Sequence, residues 1–239
     1  MKILIAIPAY NEEKIIRENV LKLFNFLDQN LGGYDYKVII ADNNSGDQTG
    51  SIVKDLEKNI EKLEYFYLSQ KGKGLAVMRA WQKFQAEFDI FVFMDADLST
   101  NLKALPFLIE AINQGYDIAV GSRYLKGSET DRSLGRKFFS FGYRLALKIM
   151  LGMKTKDLSC GFKACNQKVI KEILPQIENQ TWFFDTEMVW LAEKKGYKIK
   201  EVPVHWREPR GHEDKTRVNL LGVSWLYLKE IWRLKKRKA

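Results

Sequence analysis

Apolar residues fall into short runs through the first half of the chain, and longer stretches with helical spacing separate them. The runs 2–8 (KILIAIP), 36–42 (YKVIIAD), 64–69 (EYFYLS), 89–95 (DIFVFMD) and 117–123 (DIAVGSR) are short and rich in β-branched and aromatic residues, so they read as buried strands. Between the first two, Ile16, Val20, Leu23 and Leu27 recur at helical spacing, with Asn11 as the expected cap and Glu12 and Glu13 in the first turn. Segments 47–59, 73–87 and 103–114 also read as helices. Strict alternation of strand and helix predicts an α/β fold, a mostly parallel central sheet with helices on both faces.

After residue 122 the pattern changes. A polar, basic loop (123–137) leads to a helix over 138–153, where Phe138, Phe139, Phe141, Tyr143, Leu147, Ile149 and Met150 mix with Arg144 and Lys148. A strand and turn follow at 157–165, then a helix at 182–196. The strand at 197–206 is expected near a sheet edge because Pro203 cannot donate to a ladder. Residues 218–239 read as a basic amphipathic helix. The expected organisation is one domain over 1–217, with halves meeting near 122, and a C-terminal helix over 218–239.

Composition narrows the classes. The 239 residues carry a net charge of +9, which points to an anionic partner. Two cysteines (Cys160, Cys165) and two histidines (His205, His212) supply neither a structural zinc set nor a disulfide framework, so a reducing cytoplasm is the default. Cys160 reads as a small packed residue. The run at 2–8 is too short for a signal-peptide core, and no stretch reaches the about 18 consecutive apolar residues of a spanning helix.

Ligands of open α/β sheets bind at the carboxyl ends of strands. The conspicuous polar residues fall there: PAYNEE (8–13), ADNNSGDQT (41–49), DADLST (95–100) and GSRY (121–124). Turn chemistry explains each singly, since Asp bonds nearby backbone amides. Asp95 and Asp97, one residue apart at the end of a buried strand, form a concentrated negative site that calls for a cation.

With these strand ends, DLSCGFK (157–163) and FDTE (184–187), the chain resembles the glycosyltransferase A (GT-A) fold and its inverting family two. The likeness is to polyprenyl-phosphate enzymes, the dolichyl-phosphate glucosyltransferases and mannose synthases, and it covers roughly residues 3 to 217. It implies that Pro8, Tyr10, Glu12 and Asp42 hold the nucleotide, with Asn43 standing where the family often has a second Asp. Lys73, in QKGKGLA (70–76), is implied near the donor; the segment lacks a Walker loop's spacing. Asp97 is implied as the ligand of Mg2+ or Mn2+, with Asp95 supporting the ribose or the ion's water shell. Ser99 stands where mannose synthases tend to carry Gln, which leans toward the glucosyltransferase branch.

The implied acceptor is a polyprenyl phosphate, a monoester largely ionised at neutral pH because its second pKa is about 6. It needs cations to hold it rather than a base. Arg123, Arg132 and Arg136 are the first expected grips, with Ser159 and Lys163 beside the same cleft and Arg210 and Lys215 in the late REPRGHEDKTR segment. A solvated basic loop is the plain alternative. Asp157 belongs to the same motif, and Asp185 and Glu187 match acidic positions of the glucosyltransferase branch, although helical spacing turns only one inward. Transfer to a sugar hydroxyl would require one of them as base.

Segment 138–153 and the tail, with Trp225, Tyr227, Trp232, Arg233 and Lys235–Lys238, suit interfacial helices. The expected enzyme is therefore peripheral at the inner face of the cell membrane, alone or with a membrane-protein partner; packing against the domain is the other reading of these helices. A nucleic-acid-binding role is disfavoured, since no recognition motif appears and the acidic strand ends would repel phosphates.

Overall fold

The computed structural model describes residues 1–131, 134–207 and 220–237, and the side chains of all these except 134–138 and 220–224. The expected strands form at β1 (Lys2–Ala9), β2 (Asp35–Asn43), β3 (Leu63–Leu68), β4 (Ile90–Met94) and β5 (Ile118–Ser122). Helices α1 (Ile16–Asn30), α2 (Thr49–Glu57), α3 (Lys73–Phe84) and α4 (Leu105–Asn113) alternate with them. The second half adds β6 (Glu129–Thr130), α5 (Leu134–Leu151), β7 (Phe162–Asn166), α6 (Gln167–Glu172), α7 (Phe184–Lys194), β8 (Ile199–Pro203), β9 (His205–Trp206) and α8 (Leu220–Lys236).

The strands read as continuous apolar runs because both faces of the sheet are covered. On β4, Phe91 and Phe93 face Trp81 of α3, while Ile90, Val92 and Met94 face the opposite layer with residues of α1 and α4. The seven-stranded sheet runs β3-β2-β1-β4-β7-β5-β8, parallel except for β7, which is antiparallel to both β4 and β5. Strand order reverses between β1 and β4, so the crevice at their carboxyl ends is the topological switch point. Pro8–Glu12 and Asp95–Asp97 leave the sheet there.

Two expectations change. Helix α1 begins at Ile16, and the residue before it makes no side-chain cap. Asn11 instead adopts a left-handed backbone (φ 53°) and its side chain accepts from Gly46 N–H at 2.8 Å, tying the loop after β1 to the loop after β2. The single strand expected over 197–206 divides into β8, which is the sheet edge, and β9, which pairs with β6.

Helix α8 packs against α5 and closes the core with buried Ile231 and Leu234. Tyr227 lies between Tyr143 and Phe183 (ring centroids 5.0 and 5.5 Å). Its expected place at headgroup depth is thus corrected. No described helix is long and apolar enough to cross a membrane.

Candidate active site

The cleft is built from loops that hold one another. Glu12 N–H donates to Thr49 Oγ1 (2.7 Å) and Asn11 N–H to Ser45 Oγ (3.0 Å), so the turns after β1 and β2 form one wall. Lys71 reaches across to Tyr10 Oη at 2.8 Å and lies over its ring. Asp42 is buried beneath this wall, with one oxygen accepting from Ser45 N–H (2.9 Å) and the other from Tyr65 Oη–H (2.7 Å). Those two bonds fix the carboxylate's orientation. Asn43 accepts from Gly72 N–H at 2.6 Å, which gives the position a use without a second charge.

At the end of β4, Asp95 and Asp97 are both partly exposed, and Leu98 turns the chain through a left-handed conformation (φ 50°). Burial pushes the Asp97 carboxyl above its ordinary range, and the neighbouring Asp95 charge adds to this. Lys73 Nζ lies 2.5 Å from Asp95 Oδ1. Burial alone would lower the lysine's pKa, but the charges of Asp95, Asp185 and Asp97 raise it. An ammonium thus stands in the field of two crowded carboxylates. An all-oxygen donor pair of this kind fits a hard divalent ion that takes its remaining ligands from phosphate and water.

The turn before β7 supports Asp95 from the other side. A Cβ on Gly161 would lie 2.1 Å from Asp95 Oδ2, so only glycine lets the turn approach that carboxylate. In β7 the register sets Lys163 opposite Phe93, on the α7 face of the sheet. There it is fully buried, and its ammonium donates to Leu158 O (2.9 Å), Cys160 O (2.6 Å) and Asp185 Oδ2 (2.6 Å). This corrects the acceptor-phosphate expectation for Lys163, whose three donors are all engaged inside the protein. Asp185 is buried with it, and burial pushes its carboxyl up even with Lys163 attached.

Arg123 is corrected likewise. Its Nε and Nη2 donate to the two oxygens of Asp157, both at 2.7 Å, and Nη2 also to Ser159 Oγ at 2.9 Å. The fork expected to grip phosphate, and the Ser159 hydroxyl beside it, instead pin the 157–161 turn to the end of β5.

Glu187 points away from the cleft. Its carboxylate is 0% exposed and takes Arg233 Nη2 and Arg237 Nη1, each at 2.7 Å. Of the two acids expected to have only one member turned inward, Glu187 is thus the one engaged elsewhere, and the expected headgroup contact of Arg233 is corrected. The side chains of Arg132, Arg136, Arg210 and Lys215 lie outside the described residues.

Cys160 and Cys165 are buried free thiols, and burial pushes Cys160 up to about 11. Trp182, which sequence reading passed over, is half-exposed, with the Lys73 ammonium 4.6 Å from its ring centroid. Its position just ahead of the FDTE motif was the available signal.

This geometry is that of a nucleotide-sugar transferase fold of the GT-A type. Glucosyl-3-phosphoglycerate synthase from Mycobacterium tuberculosis, solved in complex with uridine diphosphate, superimposes with a TM-score of 0.70 at 18% identity, covering 100% of this chain and 81% of that one. Residues 4–174 match the model of glycosyl transferase family 2, and the chain belongs to that family. It is similar to glycosyltransferase AglD of Haloferax volcanii (31% identity, 99% of this chain, 38% of AglD). It is also similar to the dolichol-phosphate mannosyltransferase of Pyrococcus furiosus (34% identity, 99% of this chain, 64% of that protein). The chain thus spans 38% and 64% of those two relatives.

Proposed function

We propose that this chain is an inverting, metal-assisted hexosyltransferase that moves a sugar from a nucleoside diphosphate to a polyprenyl phosphate. The observation that carries the reading is the Asp95–Asp97 pair at the switch point, with Lys73 as a counter-cation. Asp97, with Asp95, would hold a magnesium or manganese ion, which when bound neutralises charge growing on the departing diphosphate. Pro8, Tyr10, Glu12 and Asp42 hold the nucleoside, and Lys73 turns toward the diphosphate.

An acceptor phosphate oxygen forms the new bond to the anomeric carbon. The bond from the anomeric carbon to the diphosphate oxygen breaks on the opposite face, and the departing diphosphate keeps the electron pair. The lipid phosphate is already ionised, so no side chain has to remove a proton. Asp185 fits this scheme, because its Lys163 partner suits it to fixing charge under the cleft rather than to serving as a base. Arg132, Arg136, Arg210 and Lys215 are the cations we assign to the acceptor.

Ser99, at the place of the mannose synthases' Gln, favours glucose from UDP-glucose; the second reading is mannose from GDP-mannose, its sugar being the one named for the Pyrococcus relative, a mannosyltransferase. Transfer from both nucleotide sugars to a short polyprenyl phosphate, with Mn2+, tests the proposal. We expect a lipid-phosphate product with one of the two donors. Preference for a sugar-hydroxyl acceptor would overturn it.

We place the enzyme peripherally at the cytoplasmic face of a membrane. Phe141, Leu145 and Ile149 recur every four residues on α5 and are exposed, Ile149 by 73%. On α8, Trp225, Leu228 and Trp232 form a similar stripe, followed by exposed Lys235 and Lys236. Aromatic burial combines there with about 1 kcal/mol per basic residue near anionic lipid. Deleting α8 would uncover Ile231 and Leu234, so substitution is the cleaner test. Trp225→Ala/Trp232→Ala is expected to sediment with anionic vesicles markedly less than wild type while nucleotide binding is unchanged. Equal sedimentation of both proteins would remove the interfacial role of α8.

A further inference from the structure

Helix α8 connects to the donor site through a continuous set of contacts. Glu187 is the hub, a buried carboxylate held by Arg233 from α8, by Arg237 just past its end, and by the backbone N–H of Asn179, which donates to it at 2.9 Å. Both arginines also pair with Glu178, and Arg237 Nη2 donates to Gln176 O at 2.8 Å. The segment entering α7 is therefore gripped from outside by two guanidinium groups.

Its inner side forms the seat of α3. Gly74 N–H donates to Thr181 O (3.1 Å) and Leu75 N–H to Gln180 O (2.9 Å), so carbonyls of this segment satisfy amides that open the helix carrying Lys73. The fit is close: a Cβ on Gly72 would lie 2.5 Å from Gln180 O, and one on Gly74 would lie 2.5 Å from Phe184. The next residue, Trp182, lies against the Lys73 ammonium, which in turn reaches Asp95.

We infer that Arg233 and Arg237 are positioning residues for the donor site, which through Glu187 and residues 178–182 fix α3 and Lys73 relative to Asp95. The same helix carries the Trp225–Trp232 stripe, so contact made on its outer face and donor capture share one rigid element. The inference rests on the reading of the cleft as a nucleotide-sugar site.

The test uses the full chain in three forms. Arg233→Ala/Arg237→Ala removes the grip. Arg233→Lys/Arg237→Lys keeps the charge. Glu187→Met/Arg233→Met/Arg237→Met removes the link without leaving a buried charge, so it remains informative where the double alanine variant fails to fold. Calorimetry with UDP and with GDP in the presence of Mn2+ gives nucleotide affinity, and steady-state kinetics separates donor KM from acceptor KM. We expect the alanine and methionine variants to raise donor KM and weaken nucleotide binding about tenfold, within the usual range of coupling between sites. Acceptor KM should stay within twofold, roughly the assay's resolution, and the lysine pair should recover much of the affinity.

A purely structural role would lower the melting temperature and the amount of active enzyme but leave donor KM unchanged. Wild-type nucleotide affinity in the folded methionine variant overturns the positioning role alone. Absence of metal-dependent binding of either nucleotide to the wild type overturns the underlying site.

Discussion

Asp97→Ala is expected to cripple transfer and remove the metal-dependent part of nucleotide binding while the protein stays folded. Asp97 does little for the fold. Its carboxylate accepts from Ser99 N–H at 3.0 Å, and burial, followed by the neighbouring Asp95 charge, raises its pKa. Removing it relieves repulsion, so thermal stability should match or exceed that of wild type. Its contribution to the reaction is the opposite. In the proposed reaction a cation offsetting charge on the leaving diphosphate would lose its principal ligand, and a loss of about a thousandfold in turnover, roughly 4 kcal/mol, is expected. Asp97→Asn keeps the shape and the Ser99 bond but not the charge, and should be nearly as impaired. Near-normal turnover in either variant, or undiminished wild-type activity in excess chelator, would remove the metal assignment.

The polar edge of the sheet was readable because its signals are local. A buried parallel strand is a run of apolar residues, and the polar residue that ends it falls at the ligand-binding edge whatever the rest of the chain does. Asp95, Asp97, Asp42 and Tyr10 were placed in this way. Strand β7 was legible as a strand, but its antiparallel insertion between β4 and β5 depends on pairing that no local pattern encodes.

The misassigned charges share one cause, a distant partner. Arg123 reads as a loop cation until Asp157, 34 residues on, is seen to fill its fork. Lys163 stands in a motif beside the cleft, yet register turns it inward to Asp185, 22 residues away. Glu187 meets an arginine 46 residues further along the chain. Sequence alone says that such groups need partners when buried; it does not say which groups are buried. The tail shows the same ambiguity over five residues at the end of α8. Arg233 and Arg237 turn inward to Glu187, while Lys235 and Lys236 between them remain exposed.

Asp157→Ala is expected to destabilise the protein by about 3–5 kcal/mol, the range found when one member of a buried ion pair is removed. Both partners lie almost wholly inside the protein, and Asp157 also accepts from the Arg123 backbone N–H at 2.9 Å. Its loss leaves a guanidinium buried without its main acceptor and frees the turn that carries Gly161 against Asp95. Activity should therefore fall together with stability. Arg123→Met/Asp157→Leu removes both charges at similar volume and should recover much of the stability, because the desolvation of two ions disappears with their attraction.

The pH dependence follows from the shift at Asp157. Burial opposes ionisation there, but Arg123 holds the folded carboxyl below its ordinary value of 3.8. The ionised pair thus contributes its full stabilisation above that unfolded value and loses it as pH falls through the lower folded one. Urea melts of wild type and the methionine–leucine variant should converge or cross as pH drops below about 4, with wild type losing more. If the difference between the two proteins is the same at acidic and neutral pH, the pair is not what fixes this turn, and another contact must hold Gly161 against the carboxylate of Asp95.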